Sequence, residues 1–195
     1  MTKRISSALC AVVLSLAAAG SGAETKAAAA APRVILETNR GAIELELDAS
    51  KAPVTVANFL KYVDDGFYDG LIFHRVEAGF VIQAGGYDAS MHSREPGSPI
   101  VNESSNGLRN KKGTIAMARQ NDPNSATAQF YINVVDNPTL DAKPGKPGYA
   151  VFGHVVSGMD VVEAIELTPV HTVDGMVGVP VDPVVILKAR RAPAS

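Results

Sequence analysis

The residues of this chain that could support chemistry are few, and they fall in two short segments. Arg75 and Gln83 lie in the stretch 73–86, and Gln129 begins a second apolar stretch. The side chains around them are mostly apolar: Phe80, Val81, Phe130 and Tyr131. An arginine in this setting either extends its charged end into water at a sheet edge or uses its donors on a ligand. The set combines hydrogen-bond donors with apolar surface and contains no evident nucleophile.

Missing motifs exclude several classes of enzyme. The four histidines, His74, His92, His154 and His171, have no metal-ligand spacing, and no HExxH pair occurs. The chain has neither a G-x-S-x-G nucleophile elbow nor a G-x-x-x-x-G-K-[ST] phosphate loop. We therefore expect a site that needs no metal and no cofactor.

The first 23 residues have the pattern of a secretion signal. Two basic residues precede the apolar segment 8–19, which is too short to span a membrane comfortably, and Ser21-Gly22-Ala23 has the small residues read at cleavage sites. A membrane anchor is the alternative, but no longer apolar run follows. We expect cleavage after Ala23 and a periplasmic protein, with secretion as the second possibility. Because Cys10 is the only cysteine, the mature chain would have no disulfide and no catalytic thiol.

The remaining 172 residues suffice for one domain with its own core. We expect a flexible Ala-rich leader at 24–32, one domain at 33–190 and a short tail at 191–195. The mature chain would carry 16 basic and 20 acidic residues, a net charge of −4. This balance provides no basic surface for nucleic acid or anionic lipid, so we expect no nucleic-acid partner and no membrane contact after cleavage.

The hydrophobic pattern is mostly that of β-strands. Strands are predicted at 34–38, 42–47, 113–119, 129–134, 149–156 and 184–189, and helices at 53–63 and 159–166. Two further strands, at 71–73 and 80–82, would form a hairpin in which Arg75 shares a face with Phe73 and with some of Phe80, Ile82 and Ala84. Six or more strands with two helices, in no βαβ alternation, indicate an antiparallel barrel or sandwich.

Two ordered blocks of residues resemble the cyclophilins, a family of peptidyl-prolyl cis-trans isomerases. The matching residues are Phe73-His74-Arg75, Gly79-Phe80, Gln83 and Gly85-Gly86, then Met117-Ala118, Gln129-Phe130, Tyr149–Gly153 and Val184–Leu187. The resemblance extends from about Arg33 to Arg190 and is to the exported bacterial branch. It implies a mainly β fold: a closed eight-stranded antiparallel barrel capped by two α-helices, with a substrate groove on its outer wall.

The resemblance also implies a role for individual residues. Arg75 matches the catalytic arginine of the family. By the same resemblance, the proline pocket would be lined by Phe80, Val81, Tyr131 and Leu140, the peptide backbone would be held by Gln83, Gln129 and the backbone of Arg119, and the groove would be completed by His74, Ala118, Phe130 and Tyr149. For Phe80 and Tyr131, packing in the core is the alternative.

The chemistry of proline isomerisation fits this set of residues. Rotation about an X–Pro bond disrupts amide resonance, with a barrier of about 18–20 kcal/mol, and no covalent bond is made or broken. As resonance is lost the proline nitrogen regains a lone pair, and a fixed donor stabilises that twisted state more than either ground state. We expect a monomeric isomerase that binds proline-containing segments of unfolded exported proteins and assists their folding.

Several positions depart from the family pattern. They are Val81 for methionine, Tyr131 for phenylalanine, Ala84 for glycine, Glu77-Ala78 for an apolar residue and proline, and Thr139 for tryptophan or phenylalanine. These changes predict an altered pocket shape and leave Arg75, Gln83 and Gln129 unchanged.

Two other classes of function remain open on the sequence. A holdase or proline-peptide binding module would use the same groove, with isomerisation incidental. A small-molecule carrier would need a hollow barrel, whereas the inward positions of the predicted strands are Ile, Leu, Val and Phe, which are large enough to fill a small barrel.

Overall fold

The computed structural model describes residues 31–193, so the predicted signal at 1–23 and most of the predicted leader lie outside the described residues. The strands are Arg33–Thr38 (β1), Gly41–Leu47 (β2), Arg75–Glu77 (β3), Val81–Ala84 (β4), Thr114–Met117 (β5), Phe130–Asn133 (β6), Val151–Ser157 (β7), Val170–Val173 (β8), Met176–Pro180 (β9) and Ile186–Arg191 (β10). The helices are Pro53–Asp64 (α1) and Met159–Glu166 (α2), with a 3-10 turn at Pro138–Leu140. Within residues 31–193, no helix has the length and apolar character needed to cross a membrane.

Eight of the strands form one antiparallel sheet in the order β10-β1-β2-β7-β5-β6-β4-β3. The sheet curls until its ends meet just before β3, where the N–H of Phe73 donates to the carbonyl of Val184 at 2.9 Å and that of Ile186 to Leu71 at 2.8 Å. The predicted mainly β fold with an antiparallel eight-stranded sheet and two helices is confirmed. The predicted closed barrel is an overstatement. The contacts between the sheet ends precede β3, and the strands enclose a half-barrel.

The interior of the curled sheet is filled by side chains. On β2, Ile43 and Leu45 are fully buried while the intervening Glu44 is half-exposed, as the alternation predicts. From α1, the ring of Phe59 packs 5.4 Å from that of Phe130 and 5.2 Å from that of Phe152. Each such burial contributes roughly 1.5–3 kcal/mol. Because the described interior is occupied by its own side chains, the carrier-barrel alternative is not supported.

A carboxylate from the long loop after β4 stabilises the start of α1. Its N-cap residue, Ala52, has no side chain that can accept a hydrogen bond. Glu103 takes that role, because its carboxylate accepts from the N–H groups of Val54 at 3.1 Å and Thr55 at 2.8 Å. These donors would otherwise have no partner in the first turn of the helix. The contact fixes the loop to the body of the domain.

The β8–β9 hairpin was not predicted from the sequence. Its turn is Asp174-Gly175, with φ of 48° and 83°. Two consecutive positive φ values and an Asp-Gly pair are typical of the two-residue turns that join antiparallel strands, and this pair was the available signal. Gly178 of β9 lies so close to β3 that a Cβ there would be 2.8 Å from the carbonyl oxygen of Val76. The hairpin therefore packs against the strand that carries Arg75 and supports it.

Candidate active site

Strand register places the polar residues of interest in one row on the outer face of the sheet. Arg75 of β3 lies opposite Gln83 of β4, which in turn lies opposite Tyr131 of β6. The neighbouring row, Val76 with Ile82, points into the core. Because β alternation separates the two rows, the first lies on the outer face, with Arg75 and Gln83 partly exposed, and the second lies in the core.

The prediction that Arg75 shares a face with Phe73 is wrong, and of the three residues proposed across the turn only Phe80 lies beside Arg75. Phe73, Ile82 and Ala84 are fully buried in the core, on the other side of the sheet. The strand begins only at Arg75, so the alternation does not extend back to Phe73. Across the hairpin the partner of Arg75 is Gln83, which shifts the expected face by one residue.

A pocket of about 180 Å³ opens beside Arg75 on this outer face. It is lined by Arg75, Phe80, Val81, Gln83, Ala118, Arg119, Tyr131, Leu140 and Tyr149, all of them predicted site residues. Its volume is below the roughly 300–1,000 Å³ typical of sites for larger ligands, so it suits a single side chain. Three larger depressions, of about 410 to 490 Å³, lie elsewhere on the surface and include neither Arg75 nor Gln83.

Three neighbours hold the guanidinium of Arg75 at the rim of the pocket. Its Nη1 donates to Oε1 of Gln83 at 3.4 Å, its Nη2 pairs with the carboxylate of Glu77, and its Cζ lies 5.7 Å from the centre of the Phe80 ring. The side chain keeps 34% of its surface exposed. Contacts on several sides pre-organise the planar donor group while leaving part of it open to a ligand.

Two amide side chains continue this polar row. Nε2 of Gln83 donates to Oε1 of Gln129 at 2.9 Å. The space for Gln129 is provided by Gly86, where a Cβ would lie only 2.6 Å from the amide nitrogen of Gln129. Both amides are half-buried. Gln83 lines the pocket, whereas Gln129 lies next to the lining through its hydrogen bond to Gln83.

The side chain of Arg119 secures the opposite wall of the pocket. Its guanidinium donates to the carbonyls of Gly148 and Pro147, both at 3.2 Å, and lies 4.6 Å from the ring centre of Tyr149. These contacts hold the loop before β7 against the segment after β5. With the guanidinium so engaged, the backbone is the part of Arg119 left for a ligand, which is compatible with the predicted backbone role.

Buried asparagines beneath the pocket were missed by sequence reasoning. Asn110 accepts the hydroxyl of Tyr131 at 2.7 Å, Asn137 donates to the carbonyl of Phe80 at 2.9 Å, and Asn133 accepts from Asn137 at 2.8 Å. Burial raises the pKa of Tyr131, so its phenol stays a neutral donor to Asn110. Asn110 also explains the departure from phenylalanine, since the added hydroxyl has a partner. In the sequence Asn110 and Asn137 look like ordinary turn formers, and Asn133 lies within the predicted strand 129–134.

The structure does not bring Phe130 to the pocket. Its ring is fully buried and meets the ring of Tyr68 edge-on at 5.3 Å, in the core. The family resemblance placed Phe130 along the groove, but neighbours on a strand face opposite sides, and the adjacent Tyr131 is the residue that lines the pocket. Phe130 has no exposed surface with which to contact a peptide.

The structure also keeps His74 beneath the surface. It is 2% exposed, packs 4.8 Å from the ring of Tyr87, and its Nδ1 has no hydrogen-bond partner among the described residues. Burial lowers the pKa of His74 to about 4, so the ring is neutral near pH 7. His74 therefore lies behind the groove wall and not along the groove as predicted, and it has almost no surface open to a ligand.

The sequence of this chain is similar to those of known proteins. The family model for the cyclophilin type peptidyl-prolyl cis-trans isomerase/CLD matches residues 33–191. The chain belongs to the cyclophilin-type peptidyl-prolyl cis-trans isomerases. It is 47% identical over 190 residues to peptidyl-prolyl cis-trans isomerase A of Dickeya dadantii (strain 3937), covering 97% of this chain and 98% of that protein. It is 51% identical over 136 residues to peptidyl-prolyl cis-trans isomerase B of Escherichia coli (strain K12), covering 68% and 83%.

A solved cyclophilin has the same fold. The Cryptosporidium parvum cyclophilin type peptidyl-prolyl cis-trans isomerase, crystallised in the presence of the dipeptide Ala-Pro, superposes with a TM-score of 0.70 at 26% identity, covering 83% of this chain and 99% of that one. The predicted enzyme class, a peptidyl-prolyl cis-trans isomerase, is thus confirmed by its relatives.

Proposed function

We propose that Arg75 is the catalytic residue of this cyclophilin. We also propose that the enzyme acts on X–Pro bonds in exported proteins and assists the folding of those proteins. The observation that carries the proposal is the position of the Arg75 guanidinium, which is partly open and held at the rim of an apolar pocket the size of one side chain. The Cryptosporidium parvum relative was crystallised with Ala-Pro. The presence of a proline dipeptide in that crystal supports a proline as the occupant of the pocket here.

Binding would place the proline ring among the apolar side chains and the peptide backbone along the amides. Phe80, Tyr131 and Leu140 provide the apolar walls. Gln83 and Gln129, now bonded to each other, would exchange that hydrogen bond for bonds to the peptide backbone. This grip immobilises one side of the X–Pro bond, so the chain on the other side is the part that rotates.

Catalysis would come from the twisted state. When the X–Pro bond is rotated by about a quarter turn, the nitrogen loses its resonance and can accept a hydrogen bond. A donor of Arg75 aimed at that nitrogen stabilises the twisted state more than the planar cis or trans forms. The barrier falls without any covalent step, and no proton has to leave the enzyme.

Refolding kinetics test this proposal against the holdase alternative. Uncatalysed prolyl isomerisation takes tens of seconds or longer at about 25 °C and limits the folding of many chains. We expect substoichiometric amounts of this protein to raise the rate constant of the proline-limited phase in an exported protein. A holdase would instead act near a one-to-one ratio and leave that rate constant unchanged, an outcome that would contradict the proposal.

Export is the second part of the proposal. It is supported by the basic start, the short apolar segment 8–19 and Ser21-Gly22-Ala23. We expect the mature protein to begin near Glu24 and to act in the periplasm as a monomer. N-terminal sequencing of protein from the periplasmic fraction tests this expectation, and a soluble cytoplasmic form with an intact Met1 would refute it.

A further inference from the structure

A carboxylate adjoins the catalytic arginine in this protein. Glu77 follows Arg75 by two residues on β3, so both side chains lie on the outer face, and its Oε2 pairs with Nη2 of Arg75. The other oxygen, Oε1, makes no hydrogen bond to any residue in the described part of the chain, and the side chain is 53% exposed. A second acid, Glu166, accepts the N–H of Gly79 at 2.8 Å in the same turn. This side of the site is therefore acidic.

Strand register shows which part of a substrate would meet Glu77. Glu77 lies opposite Val81, whereas Gln83 lies opposite Arg75 and bonds to Gln129. Arg75 contacts both Gln83 and Glu77, so it lies between the amides and this carboxylate, and Glu77 itself lies just outside the pocket lining. If the amides hold the peptide backbone before the proline, the chain leaves the pocket past Glu77.

We propose that Glu77 is a specificity-determining residue that favours substrates with a cationic side chain directly after the proline. The proposal rests on the function proposed above, and it places the peptide backbone that precedes the proline on Gln83 and Gln129. An open carboxylate oxygen attracts a lysine or arginine and repels an aspartate or glutamate. Arg75 pairs with one oxygen of Glu77, and Glu166 brings a second negative charge to the same turn, so these three groups together carry one net negative charge.

The magnitude follows from the exposure of the site. Pairs of exposed charges contribute about 0.2–1 kcal/mol, which corresponds to a preference of about 1.5- to fivefold for each sign of charge. The preference should weaken with salt, because the screening length falls from about 30 Å at 0.01 M to about 3 Å at 1 M.

The test compares two peptides that differ only in Lys or Glu after the proline. Exchange spectroscopy gives kcat/KM for each, and we expect the ratio to favour the Lys peptide about threefold or more at low salt. Glu77→Gln should bring the ratio close to one, as should about 1 M salt. Glu46→Gln is the matched control: it removes the same charge on β2, from a carboxylate paired with Arg33, and should leave the ratio unchanged. Moving the charge to two residues before the proline should also remove the preference.

The outcomes separate this inference from the proposed catalytic role. Equal rates on both peptides for the wild-type protein at low salt would overturn it. Equal losses on both peptides in Glu77→Gln would also overturn it, because they would mean that Glu77 only positions Arg75. Failure of the catalytic assignment would appear elsewhere, as full activity in Arg75→Ala with the ratio retained.

Discussion

Arg75→Ala should lower kcat/KM for X–Pro isomerisation about a hundredfold, the largest effect expected of any single change in this protein. The guanidinium is a fixed donor at the rim of the pocket, and loss of such a donor costs about 3 kcal/mol of transition-state stabilisation. Peptide affinity should change much less, since the apolar walls and both glutamines remain. Exchange spectroscopy gives the rate, and titration with the same peptide gives the affinity.

Two further variants make this result interpretable. Arg75→Lys should restore little activity, because an ammonium on a flexible stem cannot reproduce the planar set of donors held by Gln83 and Phe80. Arg190→Ala removes another partly exposed strand arginine, one that pairs with Glu37, and should leave the rate unchanged. All three proteins should fold, since both arginines lie on the outer face. Full activity in a folded Arg75→Ala protein would show that another group stabilises the twisted bond.

The elements with strong local patterns were predictable from the sequence. The helices expected at 53–63 and 159–166 are found at Pro53–Asp64 and Met159–Glu166. Pro53 pre-sets the first turn of α1, and apolar residues recur at helical spacing along it. The strict alternation of β2 likewise identified both its extent and its buried face. Local sequence was sufficient there because local and tertiary preferences agree.

The hairpin that carries Arg75 begins later in the chain than the sequence pattern predicts. The apolar run 71–73 predicts a strand of that hairpin, but the hairpin strand begins at Arg75. The run is apolar because it packs in the interior where the sheet ends meet, and it contacts Val184 and Ile186 more than 100 residues away. A partner at that sequence distance leaves no local signal, so spacing alone could not assign the register.

The residues that line the pocket could be predicted through the family resemblance. The buried asparagines that hold those residues in place could not. All nine lining residues are among those that the resemblance to the family implies for the site. The asparagines beneath them, such as Asn110 and Asn137, lie in segments that look like ordinary loops. Their burial depends on which strands enclose them, and a single polar residue in a loop carries no periodicity that would show it.

The second large effect concerns stability and pH, and it originates in His74. Burial lowers the pKa of this ring to about 4 in the folded protein, against about 6.5 in an unfolded chain. Between these values the unfolded chain binds more protons, so the free energy of unfolding rises with pH. The stabilisation is complete above about pH 6.5 and is lost as the pH falls toward about 4, by about 3 kcal/mol in all.

Urea unfolding between about pH 7 and pH 4 measures this dependence. In His74→Gln the side chain cannot titrate, so we expect the slope of stability against pH to flatten over this window, whatever the absolute stability of the variant. His171→Gln replaces an exposed histidine on the β8–β9 hairpin and should keep the wild-type slope. Burial of the His74 ring is the reason for the difference, because protonation would place a charge in a site that is closed to water. Identical slopes in His74→Gln and the wild type would assign the acid sensitivity to other groups.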